Sequence, residues 1–148
     1  MGSSMESHTP GQTAWTLVFA AWLVAAAATL GALFLGHVMG IVPCTLCWYQ
    51  RVFMFPLVFV LATGLFSRDG SVVRHALPLV AAGWLVAMFH LLLTRGVIPA
   101  SASPCTQGIP CSQIDVEWLG FVTIPLLSVL SFSVIAIALL AAHSRKRQ

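Results

Sequence analysis

Charged side chains are scarce in this sequence of 148 residues: they make up 7% of it, and only four residues are acidic. A soluble domain devotes about a quarter of its residues to charge, because its surface faces water. Here hydrophobic residues make up 59% of the chain, and the mean hydropathy is +0.95. This composition excludes a small water-soluble domain and predicts a lipid bilayer as the surrounding solvent.

The sequence also lacks internal repeats and a second, polar domain. Four apolar runs come close to the roughly 20 residues that a helix needs to cross the bilayer core. They comprise residues 14–35, 47–66, 72–93 and 118–142. We therefore predict an all-α fold, an integral membrane four-helix bundle over residues 14–142, with a polar tail at 1–13 and a basic tail at 143–148. The first four residues resemble a cloning remnant ahead of Met5.

Basic residues are distributed unevenly around the predicted spans. Five of the seven fall on one side, either between the second and third spans or after the fourth: Arg68, Arg74, Arg145, Lys146 and Arg147. Lysine and arginine in short loops mark the cytoplasmic side of a membrane protein, so both termini are predicted to be cytoplasmic. Membrane topology thus explains the basic tail better than nucleic-acid binding does. All four cysteines fall on the opposite side, where disulfides persist.

The first cysteine pair, Cys44 and Cys47, forms a Cys-x-x-Cys motif at the predicted N-terminus of the second helix. Free N–H groups and the positive end of the helix dipole stabilise a thiolate there, as redox chemistry requires. The motif alone is also compatible with half of a zinc site or with a structural disulfide. Trp48 stands where a c-type haem motif requires histidine. It is first an interfacial aromatic residue, and it is also a candidate wall for a ring-binding site.

Two polar residues are predicted to lie about one helical turn inside the membrane. Arg51 follows Cys47 by four residues and so shares its helix face. An intramembrane arginine is costly and therefore a functional candidate, here as a hydrogen-bond donor to a quinone carbonyl. The alternative is an arginine that reaches out to the lipid headgroups. His90 is inferred at the same depth in the third span, either as a quinone neighbour or as a histidine satisfied within the bundle.

The second cysteine pair, Cys105 and Cys111, lies in a short segment that also holds prolines and a glycine. A disulfide between them would close a small ring with almost no core around it. Exposed disulfides of this kind exchange readily. A structural staple for the loop is the alternative.

Three segments together resemble the DsbB family of bacterial disulfide bond formation proteins, and particularly its compact branch, BdbC. They are residues 43–51 (PCTLCWYQR), residues 109–111 (IPC) with the upstream Cys105, and residues 118–125 (WLGFVTIP). The resemblance covers the four spans, nearly the whole chain after the first dozen residues. It departs from longer members in having only five residues between the second pair of cysteines, which shortens the reach toward a partner.

The resemblance implies a thiol:quinone oxidoreductase in the bacterial cell membrane, with its cysteine pairs on the extracytoplasmic side. Cys44 and Cys47 would be the quinone-proximal pair, with the Cys47 thiolate against the ring of ubiquinone or menaquinone and Arg51 in the quinone site. Cys105 would be attacked by a reduced DsbA- or BdbD-like protein of the thioredoxin fold, and Cys111 would exchange with Cys44. The driving force would come from the quinone.

Two rival interpretations remain at the level of sequence. The vitamin K epoxide reductase class also sets a Cys-x-x-Cys pair beside a quinone in a helical bundle, although its cysteine pairs fall elsewhere along the chain. A non-enzymatic membrane protein could use four cysteines to bind zinc or copper, or only to staple its loops. The redox interpretation is preferred, and it predicts no metal in the working site.

Overall fold

A computed structural model describes residues 10–67, 70–102, 104–105 and 123–146. These residues form four long α-helices and one short 3₁₀ turn at Ala100–Ala102. The helices are α1 Pro10–His37, α2 Thr45–Ser67, α3 Val72–Thr94 and α4 Ile124–Lys146. All four are long and apolar enough to cross a membrane. The predicted four-helix membrane fold is therefore confirmed, and the first three helices begin and end within a few residues of the predicted spans.

Each helix packs against two neighbours, in the order α1, α2, α3, α4 and back to α1. Large apolar side chains cover the outside of the bundle: Phe66 is 91% exposed, Phe59 72% and Ile137 67%. In water such a surface would aggregate, whereas in a bilayer it faces lipid. The surface therefore agrees with the composition in assigning this protein to a membrane.

Among the described residues, the apolar core of the bundle is built mainly from aliphatic side chains, with the Phe132 ring among them. Leu57, Leu61, Phe132, Ile135 and Leu139 are fully buried. Small residues let the helices approach closely, as is common in membrane bundles. A side chain at Gly64 would collide with Val72, and one at Gly83 would collide with the Phe132 ring.

Two short connections bring chemically active residues together at one end of the bundle. Gly40, between α1 and α2, has a positive φ of 67°, and Gly96, after α3, has a φ of 73°. At Gly96 the Val97 N–H donates to the Leu92 carbonyl and the Gly96 N–H donates to the Leu93 carbonyl. These two bonds form a Schellman motif, in which glycine takes the left-handed position. The motif turns the chain back over the start of α2.

Candidate thiol and quinone site

The Cys-x-x-Cys motif lies at the N-terminus of α2, as predicted. The helix starts at Thr45, and the Trp48 N–H donates to the Cys44 carbonyl at 3.0 Å, so Cys44 is the residue that caps the helix. The Cys44 and Cys47 sulfurs lie 3.3 Å apart and are hydrogen bonded. Both cysteines are free thiols, Cys44 buried and Cys47 half-buried. Either sulfur can therefore form a disulfide with the other after a small movement.

The surroundings of Cys44 stabilise its thiolate form. Its hydrogen bond with the Cys47 thiol lowers the pKa of Cys44 below the ordinary thiol value, and a contact with His90 lowers it further, against the opposing effect of burial. The free N–H groups at the start of α2 act in the same direction. Cys44 is thus prepared for thiolate chemistry.

His90 lies behind the cysteine pair rather than in the open part of the site. Its Nε2 is 3.8 Å from the Cys44 sulfur, and its Nδ1 is 3.1 Å from the Gln50 side-chain nitrogen. Because an amide nitrogen can only donate, Nδ1 accepts this bond, and neutral His90 carries its proton on Nε2. That N–H then donates to the Cys44 sulfur. With the Gln50 amide in this orientation, the His90 tautomer is the one that favours a Cys44 thiolate.

Gln50 and His90 are the two buried polar side chains in the part of the chain that the structure describes. Gln50 is 6% exposed and His90 2%. A polar group buried in a membrane bundle is costly unless it has a partner, and each supplies one for the other. The sequence analysis assigned no role to Gln50. Its position between Cys47 and Met54 on one face of α2, at i+3 from the cysteine, was the signal that could have identified it.

Arg51 is held against α1 rather than extended into the headgroup region. Its Nη2 donates to the Ala32 carbonyl at 2.9 Å, and its guanidinium carbon lies 5.6 Å from the centre of the Trp48 ring. The contact with α1 is close because Gly36 has no side chain: a Cβ there would lie 3.4 Å from two guanidinium nitrogens. The bond to Ala32 uses one of five N–H donors, so the side chain is oriented and can still donate to a ligand.

A cavity of about 310 Å³ opens beside Cys47 and Arg51. Its walls come from α1, α2, α4 and the segment before α2. They consist of Ala27, Ala28, Gly31, Ala32, Leu35, Ile41, Pro43, Cys47, Gln50, Arg51, Met54, Phe55, Ile124, Leu127, Ser128, Ser131 and Phe132. Small residues on α1 leave the space, and the larger polar groups converge at one end of it. A mostly apolar chamber with a few polar groups is typical of a site for a small hydrophobic ligand.

The lining separates the predicted site residues into two groups. Cys47 and Arg51 lie on the cavity wall, one turn apart on the same face of α2, as their spacing predicted. Trp48 and His90 are not among the cavity-lining residues that the structure describes. Trp48 is 55% exposed and stacks on Arg51 from outside. Both therefore contact residues of the cavity wall without forming it.

Cys105 is brought to the same end of the bundle as the first pair. It packs against the cluster of Cys44, Leu46 and Leu93, which Cys47 also contacts. Cys105 is disulfide-bonded; its predicted partner, Cys111, lies outside the described residues. Cys105 thus lies against the first cysteine pair.

Three potential metal ligands also meet here. The Cys44 and Cys47 sulfurs and a His90 ring nitrogen all lie within 4.8 Å of one another. Because Cys105 is in a disulfide, the four-cysteine metal site considered from sequence is not the arrangement observed.

Comparison with known proteins agrees with this geometry. The sequence model described as disulfide bond formation protein DsbB matches residues 13–142. A "Probable disulfide formation protein" of Metapseudomonas resinovorans is 44% identical over 92% of this chain and 95% of its own length. "Disulfide bond formation protein C" of Bacillus subtilis is 35% identical over 88% of this chain and 95% of its own.

A "Probable disulfide formation protein" of Coxiella burnetii is 40% identical over 84% of this chain and 86% of its own. No solved structure matches the chain. The family match spans all four helices together with the Cys-x-x-Cys motif. This multi-pass membrane protein therefore belongs to the DsbB family of disulfide bond formation proteins.

Proposed function

We propose that this protein reoxidises an extracytoplasmic thioredoxin-fold dithiol protein of the DsbA or BdbD kind and passes the electrons to a membrane quinone. The observation that carries the proposal is the joint placement of Cys47 and Arg51 on the wall of one apolar cavity, with Cys105 packed at the same cluster. The protein would lie in the bacterial cell membrane, with this end of the bundle on the extracytoplasmic side, as the distribution of basic residues predicts.

The first half of the reaction would take place at Cys105. A partner thiolate attacks the disulfide that contains this sulfur, forms a mixed disulfide and releases the other cysteine, which we assign to Cys111. The second partner thiol resolves the mixed disulfide, so the partner leaves oxidised. Two electrons and two protons now reside on the second cysteine pair.

The second half would move this reducing power to the Cys44–Cys47 disulfide by another exchange. Cys111 attacks Cys44, in the order that the family resemblance implies, and releases Cys47, which leaves a mixed disulfide between Cys44 and Cys111. Cys105 then attacks Cys111 and releases Cys44. His90 Nε2–H and the start of α2 stabilise the Cys44 thiolate as it leaves. The outcome is one disulfide in the second pair and the free Cys44 and Cys47 thiols seen in the structure.

The cavity fits a quinone headgroup by size and by the character of its walls. Its apolar surface suits a ring and the start of an isoprenoid tail. Arg51 would donate hydrogen bonds to a carbonyl oxygen, and Gln50 lines the same cavity. A bound quinone would supply the two-electron acceptor and take up two protons. Cys47 is the sulfur on the cavity wall and is therefore assigned as the one that meets it.

The direct test is quinone reduction by the purified chain in lipid nanodiscs, with a reduced thioredoxin-fold partner as donor. We expect stoichiometric quinol formation and partner disulfide formation with ubiquinone or menaquinone, and the comparison of the two selects the natural acceptor. A matched control replaces His75, which is exposed at the far end of α3, by glutamine. Absence of turnover with either quinone would refute the proposal.

A further inference from the structure

The reduced cysteine pair and His90 have the spacing of a three-ligand metal site. The Cys44 and Cys47 sulfurs are 3.3 Å apart, and Cys44 Sγ is 3.8 Å from His90 Nε2. A tetrahedral zinc ion with bonds of about 2.3 Å to sulfur and 2.0–2.1 Å to nitrogen needs ligand separations of about 3.8 Å between sulfurs and about 3.5 Å between sulfur and nitrogen. These two distances lie within about half an ångström of the required ones, and the third, from Cys47 Sγ to the His90 ring nitrogen, is within 4.8 Å. Side-chain movements would complete the geometry.

The surroundings of His90 suit a metal ligand. A ligating histidine binds through one nitrogen and donates its other N–H to an oxygen nearby. His90 Nδ1 already contacts the Gln50 amide at 3.1 Å. If the amide turns over, its oxygen replaces its nitrogen and accepts the Nδ1–H. Gln50 can therefore support His90 both in the metal-free state and with Nε2 on a cation.

Charge and burial favour a cation at this point. Cys44 is 3% exposed and His90 2%. A pair of thiolates in such a place is costly without a compensating positive charge, and a divalent cation supplies it. Cys47 borders the cavity, which leaves room for water or another small ligand in the fourth position, as zinc sites with three protein ligands have.

We propose that the reduced protein binds a thiophilic d¹⁰ cation, represented by Zn²⁺, through Cys44, Cys47 and His90. Two thiols lose their protons, two S–Zn bonds form, and two protons are released for each ion bound. The disulfide form has no thiolates to offer and does not bind. Since coordinated sulfurs cannot attack another disulfide or be oxidised without losing the metal, the ion would hold the protein in its reduced, inactive form. This last consequence rests on the proposed function, whereas the binding does not.

Zinc binding is measured by competition with a chromophoric chelator, on full-length protein carrying Cys105→Ser and Cys111→Ser so that only the first pair remains. We expect one Zn²⁺ per reduced chain, two protons released, and no binding after the pair is oxidised. Neither quinone nor partner is present, so failure of the proposed function would leave this result unchanged. Absence of binding by the reduced chain, or equal binding by the oxidised chain, would overturn the site.

Variants of His90 distinguish a three-ligand site from chelation by the two thiols alone. We expect His90→Gln to weaken zinc binding by about tenfold or more, His90→Cys to restore it with a third sulfur, and His75→Gln, on the same helix, to leave it unchanged. Equal affinity in His90→Gln and the parent protein would reject the histidine ligand.

X-ray absorption at the zinc edge gives a readout that does not depend on how the His90 variants fold. The zinc complex of the Cys105→Ser, Cys111→Ser protein should show two sulfur ligands at about 2.3 Å and an imidazole nitrogen at about 2.0–2.1 Å. A spectrum without imidazole would reject the proposed ligand set.

Discussion

The two ends of this bundle differ in how their interiors are packed. At the end where α2 begins, the described residues include two buried polar side chains, Gln50 and His90, beside a cavity of about 310 Å³. Toward the other end the interior is aliphatic, with Leu61 and Leu139 fully buried, and glycines bring the helices into direct contact. Phe132 marks the boundary, since its ring both lines the cavity and presses on α3 at Gly83.

This difference indicates which end of the bundle contributes stability and which contributes the chemistry. Close packing of small and aliphatic residues holds membrane helices together, and it leaves no space for a ligand. The end where α2 begins, called the thiol end here, is less closely packed, because it contains the cavity and buried polar groups that need hydrogen-bond partners. Substitutions at the two ends should therefore differ in kind: those at the thiol end should change activity, and those at the packed end should change stability.

The largest expected effect is loss of turnover in Cys47→Ser. The hydroxyl occupies nearly the same space, so the bundle should fold, but serine forms no disulfide and cannot deliver electrons. We expect quinone reduction to fall to background while the thermal midpoint stays near that of the parent protein. Substantial quinol formation by this variant would show that the sulfur on the cavity wall is not needed.

Next in size is the effect of Arg51→Ala, which removes the oriented donors from the cavity. Loss of a preorganised hydrogen-bond donor to developing negative charge costs about 10²–10³-fold in rate, and we expect a decrease of this order in kcat/KM for quinone. Arg51→Lys should recover part of it, because lysine keeps the charge without the planar fork. If Arg51 were only a headgroup anchor, both variants would retain full activity.

At the packed end, Gly83→Ala tests the contact between α3 and α4. The added methyl group would collide with the fully buried Phe132 ring, and overpacking of this kind costs about 1–3 kcal/mol. The free energy of unfolding in detergent, from denaturant titration, measures it. Gly31→Ala is the matched control, because a Cβ there meets nothing within 4 Å. Equal stability of the two variants would remove the contrast between the ends.

The smallest expected effect is a change in KM when the cavity is partly filled. Gly31→Leu should place a side chain in the chamber and raise the KM for a short-chain quinone about tenfold, at the lower end of what a small change in pocket volume is worth. Gly11→Leu, on the same helix but away from the cavity, should leave the KM unchanged. The KM values come from initial rates over a range of quinone concentrations. A normal KM in Gly31→Leu would place the acceptor elsewhere.

Much of the fold could be predicted because the bilayer imposes a simple constraint. A span must be about 20 apolar residues long, so α2 and α3 could be bounded to within a few residues. The Cys-x-x-Cys motif at a helix start and the shared face of Cys47 and Arg51 follow from local helical geometry. The partners of each side chain could not be predicted in this way, because they come from other helices.

His90 and Gln50 illustrate this limit. The depth of His90 could be inferred from its position in α3, and that depth alone suggested a quinone neighbour. The structure places its two ring nitrogens against Cys44 and Gln50, which that depth did not predict. The depth of a residue along its own helix does not show which way that helix is rotated relative to its neighbours. That rotation is decided by how the helices pack.

The sequence by itself determined that this chain is a membrane protein, that it has four helices long and apolar enough to cross the membrane, and that its Cys-x-x-Cys motif begins a helix, since hydrophobic length and helical spacing are local properties. The tertiary structure alone decided that Ala32 on α1 orients Arg51, that Gln50 contacts the His90 ring and that Cys105 packs against the first pair. These contacts join residues far apart in the chain, and only the mutual packing of the helices brings them within hydrogen-bond or van der Waals distance.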